Sequence, residues 1–349
     1  PDRPAPSTLN LGDLARFLKH PVQHFFNRRL NVYFSAQEES LPDHEPFSLN
    51  KLDEWRYRHT LLPLLHQQPD LTADGFFAQE AAAGTLPFPY QALPTVQNLS
   101  FAVTQLHAAL TQAEASVQPL SAVTGETVLR LAWQHGDTLR GQDSLAGVGV
   151  DVATGERVWV VALTDLFAKR LDKLLPYWVG QVVAAATGTP LVMRVVALDT
   201  LDTLPTEGRH LPWWDFPPLP QAEAQAYLQT LMAAWQASWA TPLPILPRGV
   251  SPAEYSKNQG EKASEQWAQD AYLNRAFASA EALLTLPWEG DVPAALVENG
   301  EALPPAYMVW WHTLYAPLDE AIARQVNAAE AALPADGAPA TRKKAGKAS

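Results

Sequence analysis

The sequence predicts an α/β fold in which a core of strands is wrapped by many helices. Three short, β-branched, apolar runs at 126–133, 145–152 and 157–163 precede a helical run at 170–187 and a further apolar strand at 190–198. Helical patterns of apolar residues lie on both sides of this strand–strand–strand–helix–strand unit, as in an α/β core with helical decoration. The strand unit is therefore predicted to form the centre of the domain.

The first elements are two short helices after a polar, Pro-rich lead-in at 1–8, which we expect to be disordered. Asn10 can cap the first helix, with Asp13 at its third position as in a capping box. Pro21 ends that helix and can open the next one. The chain at 30–34 then reads as extended.

Two longer helices come next. The run 47–66 has a helical apolar pattern that Pro63 can kink or split. A Gly-Thr-Leu-Pro turn at 84–87 leads to a long helix predicted over 94–114. Together with the first two helices they make a helical flank at 9–118, followed by the α/β core at 119–198.

Within the core, the residues 153–156 read as a hairpin turn between the second and third strands. Pro176 lies near the start of the helix 170–187 or kinks it, and Gly188 is a candidate for its C-terminal cap. These signals support a hairpin followed by a helical crossover to the fourth strand.

A second helical flank is predicted at 199–333. It begins with a Pro- and Trp-rich connection, 199–220, and a strongly amphipathic helix, 221–240. Further helices are expected near 262–284 and 318–333. The Ala-, Gly-, Pro- and Lys-rich tail at 334–349 is expected to be disordered.

Composition excludes several classes of function. The chain has 349 residues, a formal net charge of −12 and no cysteine. Without cysteine there are no disulfides, thiolate metal sites or cysteine nucleophiles, which fits a reducing cytoplasm. An acidic chain is a poor stand-alone DNA binder, so any DNA contact must be local or shared with a basic partner. No apolar run reaches the ~20 residues that span a bilayer.

The segment 9–30 resembles the opening of the C-terminal domain of RecC, the gamma subunit of bacterial ATP-dependent exodeoxyribonuclease V. The segments 45–49, 83–87 and 214–219 continue the likeness, which runs with gaps from about residue 8 to 325. The resemblance covers a whole domain rather than one short motif. It therefore predicts a nuclease-like RecC C-terminal domain over 9–333.

The resemblance implies a restriction-endonuclease-like fold of the PD-(D/E)xK type, with a small mixed sheet and a degenerate catalytic site. The full gamma subunit is much longer than this chain and assembles with a RecB-like helicase–nuclease subunit and a RecD-like helicase subunit. It receives a duplex DNA end, contributes a pin that splits the duplex, channels the separated single strands and helps to recognise the Chi sequence. The implied location is the bacterial cytoplasm, with no membrane contact.

The nuclease chemistry can be tested on the residues themselves. Active nucleases of this fold carry an Asp on one strand and an acid-x-Lys pair on the adjacent strand, where they hold Mg²⁺ and orient the attacking water. The matching positions here are Val150 for the first acid, and Ala162 and Thr164 for the pair. No Asp or Glu in the chain is followed by Lys at the second position. We therefore predict no metal site and no catalytic residues.

An alternative keeps Asp151, Glu156 and Asp165 as an unusual acidic cluster, which would make the chain an active nuclease with displaced ligands. The competing interpretation makes the first two hairpin-turn residues and Asp165 a helix cap. Using Asp151 as the first acid would slip the register by one residue, which turns every side chain to the other face. The sequence also lacks a phosphate-binding GxxxxGK[ST] loop, so ATP, like Mg²⁺, is expected only in the partner subunits.

Three groups of residues are candidates for DNA contact. Trp213 and Trp214 could stack on bases or wedge a duplex, or could pack over the helix 221–240. The basic pairs Lys169–Arg170 and Arg28–Arg29 could meet phosphates, or form solvated helix faces. A third class of function also stays open, a pure assembly scaffold that never touches DNA.

Two histidines and a second Trp pair have simpler interpretations. His20 and His24 have the i, i+4 spacing of a metal pair, but no third ligand is evident, which favours a cap residue and a surface residue. Trp310 and Trp311 lie in an apolar stretch and are expected in the core or at a subunit interface.

Overall fold

The structure is a computed structural model that describes residues 6–34, 49–86, 89–164, 171–197, 213–250, 261–291, 296 and 304–331. The sequence predictions for Asp165, Lys169, Arg170 and the tail 334–349 concern residues outside these ranges. No helix in the described part of the chain is long and apolar enough to cross a membrane.

The strands of the described residues form two sheets. In chain order they are β1 Thr8–Leu9, β2 Val117–Pro119, β3 Val128–His135, β4 Leu139–Ala146, β5 Val148–Asp151, β6 Arg157–Leu163, β7 Val192–Ala197 and β8 Trp213–Phe216. The larger sheet has the order β2-β5-β6-β7-β8, with β6 and β7 parallel and the other neighbours antiparallel. The smaller sheet has the order β1-β4-β3, in which β1 is parallel to β4.

The helices surround these sheets. In chain order they are α1 Leu11–Lys19, α2 Pro21–His24, α3 Lys51–Gln67, α4 Ala73–Ala82, α5 Pro89–Ala115, α6 Leu120–Thr124, α7 Leu171–Ala186, α8 Gln221–Ala237, α9 Glu261–Gln269, α10 Leu273–Ala276, α11 Ala280–Leu284 and α12 Ala306–Ala331. A π-helical turn, Phe25–Leu30, follows α2, and a 3₁₀ turn, Pro247–Gly249, follows α8.

The larger sheet is covered on both faces. On one face, Val161, Leu163 and Val195 belong to a core cluster with α1, α7 and α8. On the other face, Val196 is buried in a cluster with α3, α4 and α5, against which Val160 also packs. This alternation along β6 and β7 is what a strand buried on both faces requires. The result is a three-layer arrangement, helices–sheet–helices.

Gly147 connects the two sheets. It lies between β4 and β5 at φ 74°, a left-handed conformation that glycine adopts without the steric cost of a Cβ. The chain therefore leaves the smaller sheet at Ala146 and enters the larger sheet at Val148.

Several local predictions are confirmed. The Asn10 side chain accepts a hydrogen bond from the Asp13 amide at 2.7 Å, and Pro21 opens α2. The 153–156 segment turns the β5–β6 hairpin, and Gly188 follows α7 at φ 80°. Each signal depends on a residue's own backbone preference, which tertiary packing leaves unchanged here.

Other predictions need correction near the amino end. Thr8 lies in β1 and pairs with Arg140, so the disorder predicted for 1–8 is wrong at Thr8. The segment 30–34 is not a strand, because Leu30 closes the π turn and Asn31 is left-handed at φ 56°. Pro63 does not split α3, since its ring is exposed on the solvent side, where water can satisfy the carbonyl it leaves unpaired.

The predicted boundary between core and second flank also shifts. The core sheet extends beyond 119–198, because β2 precedes it and β8, which lies in the predicted Pro- and Trp-rich connection, follows it. The helix expected at 318–333 begins at Ala306 in α12, and the one expected near 262–284 is three shorter helices. Helix α4 had no counterpart among the predictions.

Candidate functional site

The positions that match the nuclease acids lie on opposite faces of the sheet. In the β5–β6 register Val150 pairs with Arg157 and Val148 with Trp159, and paired residues share a face. Val150 therefore lies on the α7 face, where it packs against the larger core cluster. Ala162 lies on the α5 face and packs against the other cluster. The expectation that these positions mark one common site is wrong.

Thr164 follows β6 on the α5 side. It is 5% exposed, and its hydroxyl lies 2.8 Å from Nδ1 of His59 on α3. The indole of Trp55 stacks on His59 with ring centroids 4.6 Å apart, and Nζ of Lys173 lies 5.2 Å from the Trp55 ring. The position where a nuclease needs a lysine is thus occupied by a threonine whose hydroxyl is hydrogen-bonded to α3.

Asp151 lies on the same face as Ala162, contrary to the register argument that set it aside. Its Oδ1 accepts hydrogen bonds from the amides of Ala153 at 2.9 Å and Thr154 at 3.1 Å. This is the predicted role as a hairpin-turn residue. Burial by itself would raise the pKa of the Asp151 carboxyl, but the two amides and Arg194 outweigh it, and the net pKa is below the usual value.

Arg194 is the centre of a buried ionic network on the α5 face. Its side chain makes a bidentate pair with Asp215, with both N–O distances at 2.8 Å. Its Nη1 lies 3.1 Å from Oδ2 of Asp151 and 2.6 Å from the hydroxyl of Ser116 at the end of α5. The network therefore joins β5, β7 and β8 to the helix that covers them.

The charge balance of this network explains why an arginine is tolerated in a buried strand. Arg194 is only 7% exposed, and an unpaired charge at that depth would be strongly destabilising. Hydrogen bonding to Asp215 raises the pKa of the guanidinium above its usual value, despite the burial that lowers it. The carboxylates of this face thus have an arginine as counter-ion, and no group of three metal-ligating side chains occurs among the described residues.

Trp213 and Trp214 do not form an exposed pair. Both lie in β8, so their side chains point to opposite faces. Trp214 is 4% exposed and belongs to the core cluster that includes α8, whereas Trp213 packs against the other cluster, so the alternative that both rings pack over the helix 221–240 is wrong for Trp213. Trp213 is half-buried on the α5 face, where its ring lies 5.2 Å from Cζ of Arg194. Trp214 is therefore not available to stack on bases.

The two histidines do not form a metal pair in the described structure. Nε2 of His20 lies 2.8 Å from Oδ2 of Asp270, and its Nδ1 accepts from the Gln23 amide, which makes it the cap of α2. His24 is 7% exposed, surrounded by the rings of Phe17, Trp235 and Trp239. The prediction of a surface residue at His24 is wrong, because the adjoining helices cover that face of α2.

The remaining candidates differ in their exposure. Arg28 is exposed and its Nη2 lies 3.2 Å from Oδ1 of Asp13, whereas Arg29 is half-buried. Trp310 and Trp311 are half-buried in α12 and pack against the larger core, as expected, and the Trp311 indole donates to the Gly249 carbonyl at 2.9 Å.

Sequence reasoning missed the Arg194 network, although one signal was present. Arg194 interrupts an otherwise apolar run at 191–197, and a charge in a buried strand implies a buried partner. Which acid would meet it could not be read from spacing, because Asp151 and Asp215 lie on strands that reach β7 only in the folded sheet.

These features define a helix-wrapped, mixed α/β domain whose larger sheet carries a buried arginine–carboxylate network. The family model described as RecC C-terminal domain matches residues 6–252. The chain belongs to this family.

Known RecC proteins show the same relationship over part of the chain. It is 41% identical over 83 residues to the RecBCD enzyme subunit RecC of Escherichia coli K12, which is 24% of this chain and 7% of the relative. It is 35% identical over 79 residues to the RecC subunit of Haemophilus influenzae, which is 23% of this chain and 7% of the relative. The matched stretch thus spans less than a tenth of these relatives.

Proposed function

We propose that this chain is a catalytically silent, restriction-endonuclease-like domain that handles DNA within a RecBCD-type helicase–nuclease. In this role it supports strand separation and channelling at a duplex end, and it docks a RecB-like and a RecD-like subunit during double-strand break repair and recombination. The observation that carries the proposal is the RecC C-terminal domain match over residues 6–252.

The sheet topology supports the fold assignment. A nuclease of this kind needs its acid and its acid-x-Lys pair on adjacent strands, and β5 and β6 are adjacent and antiparallel. Helix α7 then returns the chain to β7, which is parallel to β6. This order of β5, β6, α7 and β7 is the one that such a site would need, which supports the assignment.

The side chains support the absence of catalysis. Val150, Ala162 and Thr164 carry no carboxylate or amine, and Asp151, a carboxylate on the α5 face, is paired with Arg194. Hard oxygen ligands must be free to hold Mg²⁺. Mg²⁺ and ATP are accordingly assigned to the partner subunits.

An exposed apolar segment, residues 30–33, supports subunit docking. Within it, Leu30 is 48% exposed, Val32 37% and Tyr33 66%. Apolar side chains clustered at a surface mark protein–protein contacts more often than isolated ones. Leu30 closes the π turn, and the segment lies within the residues 6–252 that the RecC family model matches.

Co-expression of the chain with the helicase–nuclease and helicase subunits of the same source tests this proposal. We expect the three chains to elute together in size-exclusion chromatography. A Leu30→Ser/Tyr33→Ser variant should weaken this co-elution about tenfold or more, since each buried apolar side chain contributes about 1.5–3 kcal/mol. Leu52→Ser, at a 54% exposed position on α3, is the matched control. Elution of the chain apart from its two candidate partners would contradict the proposal.

A further inference from the structure

A cleft of about 430 Å³ lies between α1, α2 and the 3₁₀ turn 247–249, away from the sheet and its ionic network. Its wall includes four basic side chains, Arg16, Lys19, Arg28 and Arg248. One acid, Asp270, also lines it. This is a concentration of positive charge in a chain whose net charge is −12.

The acids near the cleft neutralise only part of this charge. Asp270 is bound by His20 and by the amides of Tyr272 and Leu273, each amide at 2.9 Å. Asp13 lies 2.6 Å from Arg16 and 3.2 Å from Arg28 and serves both. The side chains of Lys19 and Arg248 are exposed and make no hydrogen bond or ion pair with any residue that the structure describes. The cleft therefore has an excess of basic groups that can meet an anion.

The backbone at Arg248 is strained. Arg248 has φ 63°, a left-handed conformation that a non-glycine residue adopts at a steric cost. The turn is held by α12, because the hydroxyl of Tyr307 donates to the Val250 carbonyl at 2.6 Å and Trp311 donates to that of Gly249. Strain that the surrounding structure maintains is characteristic of ligand-binding positions.

Two buried polar atoms at the cleft have no partner among the described residues. They are Nδ1 of His24 and Oδ1 of Asn27. Burial, followed by the charge of Arg28, lowers the pKa of His24 to about 4, so the ring is neutral at pH 7 and interacts by hydrogen bonding. Both residues line the cleft, and buried polar groups normally have a hydrogen-bond partner, so each atom can bind a ligand in the cleft once a small side-chain rotation exposes it.

We infer that this cleft binds a nucleotide unit of single-stranded nucleic acid, with the phosphodiester against Lys19 and Arg248 and the unpaired base towards Asn27 and His24. The volume lies in the ~300–1,000 Å³ range of small-ligand clefts, which is more space than a lone phosphate needs. A single strand is favoured over a duplex because only an unpaired base can present its edge to the cleft floor. The inference rests on the proposed DNA-handling function and locates one of its contacts.

Fluorescence anisotropy of the full chain with a labelled 20-mer of thymidine and a 20-base-pair duplex, at 50–200 mM salt, tests this inference. We expect Lys19→Gln/Arg248→Gln to weaken single-strand binding about tenfold at 50 mM salt. Two lost phosphate contacts should also reduce the slope of log affinity against log salt by about 1.4. Lys51→Gln/Arg56→Gln removes the same charge from α3 and should change the affinity less than twofold.

Arg248→Gly separates binding from folding. Glycine takes the left-handed conformation without strain, so the variant should unfold at the same or a higher temperature and yet bind the single strand more weakly. Four results would each overturn the inference. They are an unchanged affinity of Arg248→Gly, equal losses of affinity in the cleft and α3 variants, duplex binding as tight as single-strand binding, and no binding by the parent chain. If the chain co-elutes with its partners but the cleft variants bind single strands as the α3 controls do, the cleft is not the binding site. The proposed function would then still stand.

Discussion

Replacing Arg194 with alanine is expected to lower the free energy of unfolding by about 3 kcal/mol. The reason is that Asp151, whose side chain is 7% exposed, would keep its charge in a buried position without its partner. Losses of about 3–5 kcal/mol follow when one member of a buried ion pair is removed. The lower end applies here because the Asp215 side chain is 41% exposed and can be rehydrated. Urea or guanidinium unfolding at pH 7 measures the loss.

The pH dependence provides an internal check on this prediction. In the parent chain the pKa of Asp151 is lowered, so its contribution is present above the ordinary value of 3.8 and is lost as pH falls through the folded-state pKa. Without Arg194 that contribution is missing at pH 7, and the difference in unfolding free energy between parent and variant should narrow below about pH 4.

The control is Arg130→Ala, at an exposed position on β3, which should cost no more than about 0.5 kcal/mol. Equal losses for the two arginines would show that the network does not stabilise the sheet.

Trp214→Ala is the second substitution with a large expected effect, a loss of about 3–5 kcal/mol. Trp214 is 4% exposed and belongs to the larger core cluster, and truncation of a buried tryptophan costs this much through lost burial and the cavity that remains. Trp213→Ala, one residue away on the other face, should cost less than half as much, because its ring is half-buried and keeps a solvent boundary. Thermal and denaturant unfolding of both variants gives the comparison.

This pair of variants also separates the two interpretations of the Trp–Trp segment. If both rings were exposed for base stacking, both substitutions would leave stability nearly unchanged and would lower DNA affinity alike. Should Trp214→Ala prove too unstable to purify, Trp214→Phe keeps most of the apolar volume and should lose less than Trp214→Ala is expected to lose. A Trp213→Ala loss equal to or larger than that of Trp214→Ala would contradict the strand assignment of β8.

Local signals predicted much of the secondary structure. The caps at Asn10 and His20 with Pro21, and the glycine at 188, work through hydrogen bonds and backbone preferences within a few residues. The hairpin at 153–156 is equally local. Strand β8 was missed because prolines surround it, although Trp214 and Phe216 alternate with Asp215 in the period of a half-buried strand.

The site was less predictable because its parts are distant in sequence. The face on which Val150 lies depends on the β5–β6 register, and a shift of one residue reverses the answer. Arg194 meets Asp151 and Ser116 only after the α7 crossover and α5 have packed on the sheet. The basic cleft brings Arg248 to α1 and α2, more than two hundred residues earlier in the chain. Such pairings are decided by tertiary packing.

The central claim, that this RecC-family domain acts on DNA without cutting it, is tested most directly by incubating the chain with end-labelled single-stranded and forked DNA. The reactions contain Mg²⁺, Mn²⁺ or EDTA, and anisotropy is read in the same tubes. We expect bound but intact DNA, with identical gel patterns in metal and in EDTA. Metal-dependent cleavage that disappears in Asp151→Asn or Asp165→Asn would contradict it and would make the chain a working nuclease with displaced ligands.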